Sequence, residues 1–337
     1  MKALVLEKQG ELQLRDVEVS ESLGPRDVRI KPEWVGICGS DIHYYLHGRI
    51  GEFVVQAPMV LGHEASGTVV EVGSEVQGLS VGDPVCMEPG IPDPRSNEFK
   101  TGVYNLDPKV KFWATPPIHG CMRETVIHPA QFTFKLPGTV SLQEGALVEP
   151  VAIGVHASKK AAIQPGQSAL VLGAGTIGIV TALAAAASGC GEVCITDIDS
   201  KKLEKVAKLF GNKITTIPIT SLEAYHSRFD ILFEASGSAA AIGTMHSYVA
   251  PGGTIVLIGM PSGPAPIDIV GIEVKEITIQ SVFRYAHVFD KTIAMMASKR
   301  IDVLPLITHT YAFDESIAAY DFAASMSPEA IKVLISM

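Results

Sequence analysis

The pattern of hydrophobic and polar positions divides the chain into two parts near residue 145. Before this point, short apolar and β-branched runs are interrupted every ten or so residues by Gly and Pro, which predicts a barrel-like β domain with many turns. After it, apolar segments alternate with stretches of helical length, as expected for a parallel sheet with crossover helices on both faces. The predicted strands are 168–172, 193–197, 230–234 and 254–258, and later helices are predicted at 289–298 and 314–325.

Length and composition narrow the class of protein. A chain of 337 residues favours two domains. It carries 27 Lys and Arg against 36 Asp and Glu, a net charge of −9, which argues against nucleic-acid binding. No apolar stretch is long enough to cross a bilayer, and residues 1–8 are interrupted by charge too early for a signal sequence. Five cysteines without a CxxC pair argue against a secreted disulfide framework, so we expect a cytoplasmic protein without membrane or nucleic-acid partners.

A nucleotide-binding motif follows the first predicted strand of the second half. The strand at 168–172 leads into GxGxxG and then into an Ala-rich helix. In this context the glycines allow a tight turn, a close approach of the backbone to a pyrophosphate, and close packing of helix on strand. The N–H groups at the start of the helix can bind phosphate oxygens. The candidate cofactor-binding residues are Gly173, Gly175, Thr176, Ile177 and Gly178.

Asp197 favours NAD over NADP as the cofactor. It ends the second strand about twenty residues after the last glycine of the motif, where a carboxylate binds the ribose hydroxyls of the cofactor. The same carboxylate would repel a 2′-phosphate. The next residue is Ile198, not an Arg that could pair with that phosphate.

Two short segments in the first half carry metal-ligating residue types. They are residues 36–43 (GICGSDIH) and 62–67 (GHEASG). Thiolate, imidazole and carboxylate are all zinc ligands, and a catalytic zinc uses three protein ligands and one open position. Cys38, His63 and an acidic residue would supply such a set. Spacing alone leaves a second interpretation open, a small buried cysteine and a structural histidine.

These segments resemble the signature of the zinc-dependent medium-chain dehydrogenases, and the resemblance runs essentially from end to end. Four further segments are most similar to the polyol branch of that family, the sorbitol and xylitol dehydrogenases: 40–51 (SDIHYYLHGRIG), 110–117 (VKFWATPP), 146–150 (ALVEP) and 282–285 (VFRY). The resemblance implies an α/β protein with two domains. A GroES-like, β-rich catalytic domain would comprise residues 1–150 and 286–337, and a Rossmann domain with a doubly wound parallel sheet would bind NAD at 151–285.

The resemblance also implies roles for individual residues. Cys38, His63 and Glu64 would hold a catalytic zinc, and Glu149 would approach the metal directly or through its water. Ser40 would first accept the substrate proton and His43 would pass it towards solvent by way of the NAD ribose. A turn residue and a solvent-facing histidine are the respective alternatives. The implied substrate pocket consists of Tyr44, Phe112, Thr115, Arg284 and Tyr285.

Three further side chains complete these expectations. Arg284 would both bind a polyol hydroxyl and pair with Glu149, with an ordinary surface ion pair as the alternative. His128 and His156 are interpreted as structural residues.

One lobe departs from the pattern of the family. Many members hold a second, structural zinc with four cysteines, and the corresponding positions here are Asp93, Ser96, Phe99 and Asp107. Carboxylate, hydroxyl and phenyl groups cannot form a closed thiolate cage. We therefore expect one catalytic zinc per subunit and no structural zinc. Other packing must hold the lobe, either around Phe99 or at a subunit interface.

The resemblance implies the reversible oxidation of a xylitol-type or sorbitol-type polyol to a ketose, with NAD as hydride acceptor. Its relatives suggest a homodimer or homotetramer. Three alternatives remain. A related zinc enzyme could act on threonine or a vicinal diol, against which Tyr44 and Arg284 argue. A zinc-free quinone reductase would not need Cys38, His63 and Glu64. A non-catalytic NAD sensor would need only the nucleotide-binding half.

Overall fold

The computed structural model describes residues 1–337. The chain forms two compact units, residues 1–149 with 303–337, and residues 150–302. Its helices are α1 (Gly39–His47), α2 (Asn97–Lys100), α3 (Leu142–Ala146), α4 (Val148–Lys160), α5 (Thr176–Ser188), α6 (Ser200–Phe210), α7 (Ala239–Thr244), α8 (Ile269–Glu273), α9 (Phe289–Ala297) and α10 (Ser316–Ala324). No helix is long and apolar enough to cross a lipid bilayer.

The strands are numbered in chain order. They are β1 (Lys2–Lys8), β2 (Glu11–Asp16), β3 (Asp27–Gly36), β4 (Arg49–Ile50), β5 (Phe53–Val54), β6 (Met59–Val60), β7 (Glu64–Val72), β8 (Pro84–Met87), β9 (Gly90–Ile91), β10 (Lys111–Phe112), β11 (Val126–Pro129), β12 (Thr133–Lys135), β13 (Ser168–Leu172), β14 (Glu192–Thr196), β15 (Thr215–Thr216), β16 (Phe229–Glu234), β17 (Val249–Leu257), β18 (Thr278–Ser281), β19 (Ile307–Ala312) and β20 (Lys332–Ser336).

The first unit is β-rich. Its largest sheet has seven strands, in the order β12-β8-β7-β3-β20-β19, with β11 also paired to β3. A second sheet has the order β2-β1-β6. The antiparallel register of β3 and β7 places Gly36 opposite Glu64, and that of β3 and β20 places Gly36 opposite Leu334. The end of β3, the beginning of β7 and the middle of β20, which are distant in sequence, therefore lie side by side in this sheet.

The second unit contains a six-stranded sheet in which every neighbouring pair is parallel. Its order is β15-β14-β13-β16-β17-β18. In a doubly wound sheet of this type the strand order reverses between the first and fourth strands, here β13 and β16, and ligands bind in the crevice at that point. The predicted strands are all present, with β17 beginning earlier than expected, at Val249. The α/β fold expected from the resemblance is thus confirmed.

Local sequence explains where α5 begins and ends. It follows Gly175 in an extended conformation and contains mostly Ala, Ile and Leu, which are residues suited to a buried helix. Gly189 ends it in the left-handed region at φ +118°, a conformation that glycine adopts without steric cost.

The structure places residues 286–302 in the second unit, whereas the sequence-based boundary lay after residue 285. In α9 the buried side chains Phe289, Ile293 and Met296 form one apolar stripe that must pack against another element. After this helix, the Arg300 guanidinium donates a hydrogen bond to the carbonyl oxygen of Ala187. This hydrogen bond joins the segment to α5 of the nucleotide-binding half.

Candidate functional site

The sheet of the first unit brings three metal-ligating side chains together. Cys38 comes just after β3, and His63 and Glu64 stand where β7 begins. Their ligand atoms all lie within 4.8 Å of one another. His63 and Glu64 are buried, and Cys38 is half-buried. A Cβ atom on Gly36 would lie 2.1 Å from Glu64 Oε2, so the end of β3 needs a glycine to admit the Glu64 carboxylate.

Asp41 connects the two ligand-bearing segments. It is the third residue of α1 and its Oδ2 accepts a hydrogen bond from the backbone N–H of Cys38 at 3.2 Å, as in half of a capping box. Its Oδ1 accepts a bond from the Gly62 N–H at 3.4 Å and lies 3.5 Å from His63 Nδ1. That last pair is within ion-pair distance but lacks hydrogen-bond geometry, since Nδ1 has no hydrogen-bond partner. Asp41 thus fixes Cys38 and orients His63 at once.

The donor set and the charge of this cluster fit a zinc ion. Burial lowers the pKa of His63, but the charges of Asp41 and Cys38 outweigh burial and raise the pKa well above its usual value. The same negative potential would stabilise a divalent cation. With Nδ1 turned to Asp41, Nε2 is the ring nitrogen available to a metal, an arrangement typical of zinc-ligating histidines. Cys38, His63 and Glu64 are therefore the residues that could hold zinc, with one position open.

Lys332 forms a buried ion pair with the carboxylate of this set. Its Nζ lies 2.9 Å from Oε1 and 2.8 Å from Oε2 of Glu64, and 3.0 Å from the carbonyl oxygen of Ile37. Burial lowers the pKa of Lys332, but the charges of Glu64 and Cys38 outweigh burial, so the pKa is raised and the ammonium form is favoured. The charge of Glu149, in the first turn of α4, acts on Lys332 in the same direction.

The two candidates for proton transfer lie on one helix. Ser40 and His43 are three residues apart in α1, a spacing that places side chains on the same face. Ser40 is half-buried and His43 is exposed. The ring of His43 lies 4.7 Å from that of His47, one turn further on. The face that carries them therefore runs from the half-buried Ser40 to solvent.

The predicted substrate-binding residues of the first unit occupy different environments. Phe112 is buried, and its ring lies 5.6 Å from that of His63. Thr115 is half-buried, and its N–H donates to the Phe112 carbonyl oxygen at 3.2 Å. Tyr44 is 3% exposed and belongs to the hydrophobic core of the unit. The structure thus brings Phe112, with Thr115 beside it, next to a candidate zinc ligand.

Arg284 and Tyr285 belong to the second unit. The backbone of Arg284 has φ +56°, and its guanidinium lies 4.8 Å from the centre of the Phe283 ring. Tyr285 is buried, with its ring 5.3 Å from that of Phe289. The predicted pairing of Arg284 with Glu149 remains a prediction.

The glycine motif has the geometry of a dinucleotide-binding turn. A Cβ atom on Gly178 would lie 1.8 Å from the carbonyl oxygen of Gly173, so helix and strand could not pack with any larger residue there. A Cβ on Gly175 would meet nothing within 4 Å, which leaves the backbone open to a ligand. The helix α5 begins at Thr176, directly followed by Ile177. These features match the predicted roles of the motif.

Asp197 supports this turn from the next strand. Its Oδ2 accepts a hydrogen bond from the Ala174 N–H at 2.7 Å, and its Oδ1 accepts one from the Asp199 N–H at 2.9 Å. Ile198 beside it is 89% exposed. A carboxylate fixed in this way, next to an exposed aliphatic side chain, suits ribose hydroxyls and disfavours a 2′-phosphate.

Comparison with known proteins identifies the family. The alcohol dehydrogenase GroES-like domain matches residues 24–138, and the zinc-binding dehydrogenase domain matches residues 176–298. D-xylulose reductase from Morganella morganii is 51% identical, over 96% of this chain and 98% of its own length. Sorbitol dehydrogenase from Bos taurus is 40% identical, over 99% of this chain and 95% of its own length. The chain is a zinc-dependent medium-chain dehydrogenase. An Escherichia coli oxidoreductase/dehydrogenase of unknown specificity shares the fold of this dehydrogenase, with a TM-score of 0.92 and 34% identity over 99% of this chain and 98% of its own.

The lobe that differs from many members of the family is held by hydrogen bonds and aromatic packing. The buried Asp107 accepts hydrogen bonds from the N–H groups of Asp93 at 2.6 Å and Lys109 at 2.9 Å. Ser96 caps α2 by accepting from the Phe99 N–H at 3.0 Å. The residues at the four positions that we expect to correspond to cysteines in other members thus have structural roles in this dehydrogenase.

Aromatic rings extend this packing. The Phe99 ring lies 6.4 Å from that of Tyr104, which lies 5.9 Å from Phe132. The Tyr104 hydroxyl donates to Glu88 Oε1 at 2.7 Å. This agrees with the expectation that packing around Phe99 supports the lobe.

The histidines interpreted as structural are buried. His128 bonds through Nε2 to the Glu88 carbonyl oxygen at 2.9 Å, and burial lowers its pKa to about 4. Burial, with the charges of Lys159 and Lys160, lowers the pKa of His156 to about 4 as well. Both side chains are therefore neutral in the folded dehydrogenase near neutral pH.

Three residues that support the candidate sites were not found by the sequence analysis. Asp41 lay inside a quoted motif, and its position three residues after Cys38 signals a helix cap. Lys332 is the single charged residue of an apolar strand. This pattern predicts a buried partner of opposite charge but does not indicate which residue it is. Glu234 ends β16, is fully buried, and accepts hydrogen bonds from the N–H groups of Ser236 at 2.9 Å and Gly237 at 3.1 Å, which shapes the crevice beside the glycine motif.

Proposed function

We propose that this dehydrogenase catalyses the reversible oxidation of a secondary alcohol of a xylitol-type or sorbitol-type polyol to a ketose, with NAD as hydride acceptor. The observation that carries the proposal is the Cys38, His63 and Glu64 cluster, with its ligand atoms within 4.8 Å, in a chain similar throughout to enzymes of D-xylulose and sorbitol. A non-catalytic NAD sensor would have no use for this ligand set.

Three protein ligands would hold one catalytic zinc per subunit. When bound, zinc supplies Lewis acidity that lowers the pKa of a substrate hydroxyl and stabilises the alkoxide that forms on deprotonation. Asp41 orients His63 and fixes the Cys38 backbone, so the ligands are arranged before the metal binds. Glu149 is the further acidic residue that we place near the metal.

Ser40 takes the substrate proton and His43 passes it to solvent. Their spacing along α1 and the exposure of His43 support this order of transfer. His43 suits the outer position, because its side chain is exposed and its ring has one nitrogen that can accept a proton and one that can donate it. In this scheme Phe112, adjacent to His63, provides an apolar wall for the substrate. Tyr44 and Thr115 are the further candidates for substrate binding in the first unit, and Arg284 and Tyr285 are the candidates in the second.

The glycine motif, with Thr176 and Ile177, binds the pyrophosphate of NAD, and Asp197 binds the ribose hydroxyls. NAD carries the hydride chemistry, while the protein supplies position and electrostatics. Five free cysteines fit a reducing compartment, so we place the protein in the cytoplasm. We also propose assembly as a homodimer or homotetramer, with a small-molecule polyol as the substrate.

NADH formation with a panel of polyols, with and without a zinc chelator, tests the proposed function. The panel includes xylitol, sorbitol, arabinitol, galactitol and threitol, and threonine and 2,3-butanediol represent the rival substrate classes. We expect chelator-sensitive NADH formation with a polyol, restored by added zinc. Turnover of threonine or butanediol alone would replace the polyol assignment. NAD binding without any turnover would favour the sensor.

A further inference from the structure

Lys332 is a buried cation whose ammonium group makes its hydrogen bonds to the two segments that carry the candidate zinc ligands. Its side chain is 3% exposed, and that of Glu64 is 1% exposed. Its ammonium group has three donors, and three acceptors surround it, namely both Glu64 oxygens and the Ile37 carbonyl oxygen. A buried ion pair is tolerated only when its remaining hydrogen-bonding groups are satisfied, and this one meets that condition.

Lys332 bridges both ligand-bearing segments from a third strand. Ile37 directly precedes Cys38, and Glu64 directly follows His63, while Lys332 begins β20 at the far end of the sequence. An ammonium group has no lone pair and cannot itself ligate a metal. Its effect on a metal must therefore pass through the groups that it contacts.

The contact with Lys332 changes the strength with which the Glu64 carboxylate can bind a metal ion. A carboxylate offers about four lone-pair positions, and Lys332 engages one on each oxygen. The positive charge withdraws electron density from both oxygens and attracts the carboxylate towards β20. A Glu64 held in this way is a weaker donor to a cation than an unpaired carboxylate would be.

We propose that Lys332 is a positioning residue that keeps Glu64 a weak, exchangeable ligand of the catalytic metal. The pair sets a balance between retention of the metal and access of the substrate to it. This inference rests on the proposed function only for its catalytic consequence, because its effect on metal affinity is independent of the substrate.

Zinc affinity of the purified protein, measured by competition with a chromogenic chelator, tests the proposal directly. Lys332→Met removes the charge at similar length, Lys332→Arg keeps it, and Lys135→Met removes an exposed lysine that pairs with Asp83 as a matched control. We expect Lys332→Met to bind zinc about tenfold more tightly or better. Lys332→Arg and Lys135→Met should remain close to the wild type. Weaker or unchanged binding in Lys332→Met would overturn the proposal and reduce Lys332 to a structural support.

A double variant guards against a failure of Lys332→Met to fold, since that change leaves Glu64 buried and unpaired. Glu64→Gln combined with Lys332→Met removes both charges, and its zinc affinity should differ from that of Glu64→Gln alone by much less than Lys332→Met differs from the wild type. An equal effect of the Lys332 change in both backgrounds would show that Lys332 does not act through Glu64, contrary to the proposal. With the polyol that the substrate panel identifies, Lys332→Met should raise KM more than it changes kcat, and Lys332→Arg should have the KM of the wild type. A failed polyol assignment would leave the zinc titration interpretable.

Discussion

Asp41 Oδ1 lies 3.5 Å from His63 Nδ1, while the same carboxylate accepts hydrogen bonds from the backbone of Cys38 and Gly62. One buried side chain therefore fixes both segments that carry the ligands. An Asp at the third position of α1 both caps the helix and orients the histidine, so its effect on the site exceeds that of an ordinary cap.

Replacement of Asp41 by Asn should weaken zinc binding by about 10- to 100-fold, the usual effect of removing the carboxylate partner of a ligating histidine. Chelator competition measures this affinity. Asp321→Asn, which alters the acceptor of the Tyr45 hydroxyl on α10, is the matched control and should bind zinc normally. Wild-type zinc affinity in Asp41→Asn would show that His63 needs no orienting carboxylate.

Cofactor preference should depend on Asp197 and Ile198. The double change Asp197→Ser and Ile198→Arg removes the carboxylate that repels a 2′-phosphate and adds a guanidinium to bind it. We expect the ratio of kcat/KM for NADP to that for NAD to rise about a hundredfold. Ile219→Arg, at another exposed isoleucine of the same unit, should leave the ratio unchanged. If the double variant still excludes NADP, the ribose is bound elsewhere.

The lobe without cysteines should depend on Asp107. Replacing this buried residue by Ala leaves the N–H groups of Asp93 and Lys109 without their acceptor. The free energy of unfolding, measured in urea, should fall by about 2–3 kcal/mol. Arg95→Ala removes the exposed partner of Asp93 and should change stability little. Equal stability of the two variants would mean that other contacts hold the lobe.

Acid should destabilise the protein partly through His128. Burial lowers its pKa from 6.5 to about 4, so the neutral form stabilises the fold above pH 6.5 and this contribution is lost as pH falls towards 4. A shift of this size corresponds to about 3 kcal/mol. In urea titrations, His128→Gln should lose less stability than the wild type over this range. The exposed His47→Gln serves as the control, and parallel pH profiles for the wild type and His128→Gln would contradict the assignment.

Sequence predicted the four central strands of the second unit and its glycine turn, because each of them has a local signal. The glycines at 173, 175 and 178, the apolar strands and Asp197 all lie within about thirty residues of one another, as in any βαβ unit. The boundary of this unit after residue 285 has no such local signal, because the apolar face of the helix at 289–297 must pack against another element but does not specify which unit supplies it.

The metal site was less accessible to sequence reasoning. Cys38 and His63 were predicted as candidates from their glycine-flanked motifs, and the resemblance to the family added Glu64. Lys332 was not, because its partner is 268 residues away and only the pairing of β20 with β3 brings them together. Pairing between distant strands has no signature in local spacing.

Cys38→Ser tests the central claim most directly, with zinc content, NAD affinity and polyol-dependent NADH formation measured on one preparation. Cys190→Ser, at a half-buried cysteine of the second unit, is the control and should match the wild type in all three. We predict that Cys38→Ser loses zinc and turnover while it binds NAD with wild-type affinity. Unchanged turnover in Cys38→Ser would contradict catalysis by a metal held at Cys38, His63 and Glu64.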